Sequence, residues 1–244
     1  MKKELINGIF AVGLSLYTSK TLILGDVHIG YEEAMNKQGV LIPRRQYAET
    51  ISLLEQTFAE LKAYNMPVEK VIINGDLKHE FGTISDTEWR NTLGILDFLA
   101  KQCKSIVLIK GNHDTILGPI ANKRNVAVKE FEVVGDVFVC HGDYITDKAE
   151  LKKAKILIIG HEHPSVVLRQ GGRVEKYKCF LVGEWQKKSL IVMPSFNTVV
   201  EGTDVLKDDL LSPFLSDIGK FEVFVSGYGE ILDFGSVNKL RQLE

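Results

Sequence analysis

Ile106-Val107-Leu108-Ile109-Lys110-Gly111-Asn112-His113-Asp114 joins a continuous apolar run to a polar cluster that opens on glycine. The run reads as a strand buried on both faces, and the glycine lets the backbone turn sharply at the strand's carboxyl end. The same arrangement recurs on either side. Leu24 leads into Gly25-Asp26-Val27-His28, Asn74 into Gly75-Asp76-Leu77-Lys78-His79, Cys140 into His141-Gly142-Asp143, and Ile159 into Gly160-His161-Glu162-His163. The strands predicted before these clusters are Thr21–Leu24, Lys70–Ile73, Val137–Val139 and Ile156–Ile159, with a further one at Ser189–Val192.

Two segments with helical periodicity lie between strands. From Arg44 to Tyr64, Tyr47, Ile51, Leu54, Phe58 and Leu61 recur at alternating steps of four and three, with Pro43 at the entry. Ser85-Asp86-Thr87-Glu88 has the form of a capping box and starts the second helix, through Trp89, Leu93, Leu96 and Leu99. Hairpins are expected at Gly135-Asp136, around Gly171-Gly172-Arg173 and across Ser226–Glu230. The early apolar run Ile9–Leu16 reads as strand and not as a signal peptide, because Glu4 and Asn7 interrupt it and no cleavage motif follows. Strand–helix–strand units mixed with antiparallel pairs, and no linker or repeat, make residues 1–244 one α/β domain in this reading.

Composition narrows the function classes. The 244 residues are 45% hydrophobic and 25% charged, and the mean hydropathy is +0.01. That profile fits neither a disordered chain nor a set of spanning helices. The formal charge of −2 removes whole-chain attraction to a polyanion. Cys103, Cys140 and Cys179 are far apart and form no C-x-x-C pair, so a disulfide framework is not expected and the cytoplasm is the expected compartment.

All six histidines lie in the five strand-end clusters. Histidine, aspartate and asparagine together form a mixed nitrogen and oxygen donor set suited to divalent transition ions. On an extended strand end, Asp26-x-His28 and His161-x-His163 each place two side chains on one side. With Asp76, Asn112 and His141 added, the donors exceed what one ion needs and match two. Any single cluster also fits an ordinary turn. Five in order behind buried strands do not.

The ordered set Gly25-Asp26-Val27-His28, Gly75-Asp76, Gly111-Asn112-His113-Asp114, His141 and Gly160-His161-Glu162-His163 resembles the signature of the calcineurin-like metallophosphoesterases. Gly75–His79, Pro164 and Met193-Pro194-Ser195-Phe196-Asn197 are similar to the small prokaryotic phosphoesterases related to SbcD and the double-strand-break repair nucleases. The resemblance implies a four-layer αββα sandwich of mixed sheets. It also implies a dinuclear site, with Asp26, His28 and His163 on one ion, Asn112, His141 and His161 on the other, and Asp76 bridging. His113 matches the proton-donating histidine and Asp114 the carboxylate that orients it. Mn²⁺ is the metal the resemblance favours, and the same donors accept Fe²⁺, Zn²⁺ or Ni²⁺.

The expected substrate is a phosphodiester of a nucleotide or single-stranded nucleic acid. A phosphomonoesterase and a non-catalytic binding scaffold are the alternatives. Residues 151–190 hold nine Lys/Arg and three Glu, hence +6 against −8 elsewhere, which is either a backbone-tracking surface or a solvated face. Arg44 and Arg45 are candidate phosphate contacts, and His79 a candidate substrate or supporting contact. The 81 residues after His163 read as strands and hairpins, which argues against a DNA-capping domain and duplex-end processing. No P-loop motif occurs, so an ATP-driven step would need a separate ATPase or helicase partner.

Overall fold

Leu22, Ile23 and Leu24 alternate between two cores. Leu22 and Leu24 pack with Leu54, Leu61, Leu96 and Leu99, whereas Ile23 faces Ile158 and Ile191. The period of two in an extended chain makes a continuous apolar run serve both faces of one sheet. The computed structural model describes residues 2–242 other than Thr83, Gly171, Asp208 and Tyr228.

The first sheet begins as an antiparallel meander of β1 (Lys2–Ile6), β2 (Ile9–Val12), β3 (Ser15–Thr18) and β4 (Thr21–Gly25). It continues with β5 (Lys70–Asn74), β6 (Ser105–Ile109) and β7 (Ala127–Lys129), each parallel to its predecessor. Helices α1 (Tyr31–Lys37), α2 (Gln46–Ala63), α3 (Asp86–Gln102) and α4 (Gly118–Asn122) occupy the crossovers. The predicted run from Ile9 to Leu16 is thus β2, a turn and the first half of β3.

The second sheet comprises β8 (Phe131–Val134), β9 (Val137–Cys140), β10 (Ile156–Ile159), β11 (Pro164–Gln170), β12 (Arg173–Trp185), β13 (Lys188–Val192), β14 (Thr203–Asp204), β15 (Glu222–Gly227) and β16 (Glu230–Ser236). Its spatial order is β14-β11-β12-β13-β10-β9-β8, with β15 on β12 and β16 on β15. The strands β9, β10 and β13 are parallel. The predicted hairpins are β8–β9, β11–β12 and β15–β16. Gly171 and Tyr228, expected in two of the turns, lie outside the described residues.

The two sheets face one another across Ile23, Ile72, Val107, Val139, Ile158, Phe180 and Ile191. Helices α2 and α3 cover the first sheet. The outer layer on the second sheet is thin, made by the five-residue helices α5 (Ala149–Lys153) and α6 (Val237–Arg241) and by Leu206, Phe214, Leu215 and Ile218. This is the expected αββα layering. No helix among the described residues is long and apolar enough to cross a membrane.

Helix α2 starts two residues later than its sequence reading, and α3 starts where expected but is capped differently. Helix α2 begins at Gln46, because the Glu32 carboxylate accepts hydrogen bonds from the Arg45 and Gln46 amides at 2.8 and 3.0 Å and thereby caps it. The capping box of α3 is half made. Ser85 Oγ accepts from the Glu88 amide at 3.1 Å, while the Glu88 carboxylate turns away to accept from the His79 and Glu80 amides at 2.9 and 3.0 Å.

Candidate metal centre

The carboxyl ends of β4, β5 and β6 in the first sheet meet those of β9 and β10 in the second, and all five polar clusters lie there. Asp26, His28, Asp76, His161 and His163 have φ between 38° and 64°. Side chains rarely accept this left-handed conformation, and its cost is tolerated only where surrounding packing enforces it. The pairing of Asp26 with His28, and of His161 with His163, therefore comes from tight left-handed turns and not from the extended alternation expected of a strand end. Val27 and Glu162 turn the opposite way, Val27 into the core and Glu162 to accept from the Leu211 and Ser212 amides at 2.8 and 3.0 Å. At Gly160 a Cβ would stand 2.3 Å from Asp26 Oδ2, so the carboxylate occupies room that only glycine leaves.

The donor atoms converge in two groups. His28 Nε2 lies 3.3 Å from His163 Nε2, which is 3.4 Å from Asp26 Oδ1. His141 Nε2 lies 2.9 Å from Asn112 Oδ1 and 3.2 Å from His161 Nδ1. Asp76 Oδ2 reaches both groups, at 3.8 Å from His28 Nε2 and 3.5 Å from His141 Nε2. Ligands sharing one ion at about 2.1 Å stand roughly 3.0–3.5 Å from each other, which is the spacing within each group. Asp26 Oδ1 and His141 Nδ1 are buried and face each other at 3.3 Å, and neither makes a well-formed hydrogen bond. Buried polar atoms left unpaired are costly, and a cation among them would remove that cost. The residues fit divalent metal ions.

Electrostatics point the same way. Burial, with Asp26 and Asp114 nearby, pushes the Asp76 carboxyl up to about 9. Burial opposes ionisation of Asp26 too, but the imidazoles of His163, His141 and His28 hold it well below the usual carboxylate range. Burial and the neighbouring His163 pull His28 down, and burial does the same to His141. Metal ligands must be unprotonated, and burial favours that form for His28 and His141.

His113 is held differently from the sequence expectation. Its Nδ1 donates to the carbonyl oxygen of His79, which fixes the tautomer, and its amide donates to Asp76 Oδ1 at 2.9 Å. Nε2 then points toward Asp76 Oδ2, at 4.0 Å. Asp114, expected to orient this ring, is buried and accepts instead from the amides of Gly111, Leu77 and Lys78 at 3.2–3.3 Å. It joins the loops after β5 and β6, because its short side chain points back under its own turn. Burial raises its carboxyl to about 6.

His79 comes into the cluster, with Nδ1 3.3 Å from His28 Nδ1, and burial pulls it down to about 4. Arg44 and Arg45 are exposed and do not line the cleft. That cleft, of about 280 Å³, is lined by His28, Asp76, His79, Asn112, His113, His161 and His163, together with Tyr31, Glu162, Val200, Thr203 and Leu211.

A model of the calcineurin-like phosphoesterase family matches residues 19–189. The chain belongs to that family. It is a metal-dependent phosphoesterase. Its fold is similar to that of a nuclease MPE from Pseudomonas putida, at 19% identity and a TM-score of 0.61 over 96% of this chain and 99% of that one. Two more distant structures are Yfce, a phosphoesterase from E. coli, and wild-type Vps29 complexed with zinc from Entamoeba histolytica. Yfce is 12% identical over 84% of this chain and 87% of its own, with a TM-score of 0.36. Vps29 is 16% identical over 88% and 99%, also at 0.36. No curated protein matches the sequence.

Several residues that support the phosphoesterase site carried no sequence signal of that role. Lys78, fully buried, donates through Nζ to the carbonyls of His113 and Glu80. Gln46 donates to the His28 carbonyl at 2.7 Å and accepts from the Gly30 amide at 3.2 Å. Asn197 donates to the Val27 carbonyl at 2.7 Å, and Lys178 donates to Ser195 Oγ at 2.6 Å and to the Asn197 carbonyl. Burial pulls the Lys178 ammonium down to about 7.

The basic segment 151–190 does not form one surface. Lys152, Lys153 and Lys155 precede β10 and therefore lie at its amino end, roughly 13 Å of strand away from His161. Lys187 and Lys188 join them, Lys188 Nζ donating to the Lys152 carbonyl at 2.9 Å. Arg169, Arg173 and Lys176 lie instead on the β11–β12 hairpin of the second sheet, whose first strand starts directly after His163.

Proposed function

We propose that residues 1–244 act as one catalytic domain that hydrolyses nucleotide or nucleic-acid phosphodiesters with two divalent ions, Mn²⁺ by preference, in the cytoplasm. The observation that carries the choice of diester is the lining of the cleft. Among the described residues it includes histidines, Asp76, Asn112 and Glu162 beside Tyr31, Val200 and Leu211, but no Lys or Arg. A monoester dianion needs extra fixed positive charge at its terminal oxygens, whereas a monoanionic diester flanked by two organic groups suits this lining. The likeness of the fold to a nuclease supports the same reading.

In this reading Asp26, His28 and His163 would hold one ion and Asn112, His141 and His161 the other, with Asp76 between the two sets. Ions there would supply Lewis acidity and a nucleophile at neutral pH. The protein's own part is to disfavour protonation of His28 and His141 by burial and to aim His113. With Nδ1 tied to the His79 carbonyl, Nε2–H of a protonated His113 is free to donate to the leaving oxygen. Asp114 and Lys78 keep the two loops in register, and His79 backs His28.

The test is hydrolysis by the Mn²⁺-loaded protein of bis-p-nitrophenyl phosphate against p-nitrophenyl phosphate. The diester should show the larger kcat/KM. A larger value for the monoester would replace this reading with a phosphomonoesterase.

A further inference from the structure

Phe81 rests on His113 with ring centroids 3.8 Å apart and planes at 35°, yet remains 57% exposed. His113 stacks in turn on His79, at 5.1 Å and 27°, so three rings follow one another out of the cluster and the outermost face meets solvent. The loop that carries this face is pinned on both sides. The Glu80 amide donates to Glu88 Oε1 at 3.0 Å, Lys78 Nζ donates to the Glu80 carbonyl, and the Gly82 amide donates to Thr115 Oγ1 at 3.1 Å. A phenyl ring held in place loses little entropy when a second flat ring settles on it.

We propose that Phe81 is the stacking platform for the nucleobase of the leaving nucleoside, which makes a nucleoside-bearing diester the substrate class. The proposal rests on the diester reading above and on the position of His113. Phe81 does not line the cleft itself but packs on His113, which does, so if His113 faces the departing oxygen the exposed ring stands beyond it on the leaving-group side. A nucleobase there extends the His79–His113–Phe81 stack by one ring. Such stacking is sequence-tolerant, because every base presents a π-face.

The experiment compares two dinucleotides with the Mn²⁺-loaded protein. One is thymidylyl-thymidine, and the other carries an abasic sugar in place of the leaving thymidine, so leaving oxygen and sugar are the same. The wild type should favour the base-bearing compound by about 10-fold in kcat/KM, within the range known for base–aromatic stacking. Phe81→Ala and Phe81→Leu should bring that ratio close to one, and Phe81→Trp should keep it. Leucine preserves packing on His113 without an aromatic face, so it separates stacking from positioning. A ratio that survives in the Ala and Leu variants, or a wild type without preference, would overturn the proposal. A wild type that cleaves bis-p-nitrophenyl phosphate poorly and p-nitrophenyl phosphate well would instead remove the diester reading, and this inference with it.

Discussion

A Cβ on Gly75 would stand 1.9 Å from Nδ1 of His141, although the two residues follow strands of different sheets. The turn after β5 thus has to be bare for the imidazole delivered by β9 to enter, and φ of Gly75 is +86° besides. Gly75→Ala should displace His141, lose Mn²⁺ affinity and lower stability by about 1–3 kcal/mol for the backbone strain alone. Thermal unfolding and metal titration of the variant check both effects.

Asp76 Oδ2 lies 3.8 Å from His28 Nε2 and 3.5 Å from His141 Nε2, the two imidazole nitrogens that the proposed ligand sets assign to different ions. The wild type should approach two Mn²⁺ per chain by elemental analysis, and Asp76→Asn should lose more metal than Asn112→Ala or His163→Ala. Saturation of the wild type at one ion would contradict the paired centre.

The raised Asp76 carboxyl gives metal uptake a defined pH dependence. With its pKa pushed up to about 9, the group holds its proton at pH 7 in the metal-free protein, and a cation must displace it. Mn²⁺ affinity should therefore rise with pH toward 9, with close to one proton released from this group per chain at pH 7. Calorimetry in buffers of different ionisation enthalpy measures that proton, and Asp76→Asn should release fewer.

His113→Ala should keep its metal but lose about 10²–10⁴-fold in kcat on esters with alkoxide leaving groups. p-Nitrophenolate departs with little protonation, so the loss on bis-p-nitrophenyl phosphate should be smaller. Equal losses on both esters, or metal stripped by the change, would remove the proton-donor role.

Lys152, Lys153 and Lys155 lie at the far end of β10 from the histidines, whereas Arg169, Arg173 and Lys176 leave the site on a hairpin. Changing the first three to Glu should leave single-stranded DNA affinity unchanged. Changing the second three should weaken it and flatten its log–log salt slope by up to about 2, at roughly 0.7 per phosphate contact on a single strand. A filter-binding series in increasing salt separates the two sets.

The six histidines, Asp26, Asp76 and Asn112 were legible without coordinates. Buried parallel strands are marked by their own apolar runs, and the polar groups behind them must stand at the strand ends that turns make accessible. Layering was legible for the same reason, since runs such as Leu22-Ile23-Leu24 can be satisfied only by a core on each face. Hydrogen-bond partners distant in the chain were not. The carboxylate of Asp114 reads as a neighbour of His113, but the convergence of two loops gives it the amides of Leu77 and Lys78. Glu88 reads as the second half of a capping box, yet the amides of His79 and Glu80 come within its reach and take it. The lysines of residues 151–190 show charge in the sequence but no direction. Only the course of β10 between them and His161 places them at the opposite edge, because a strand separates its two ends in space by its full length.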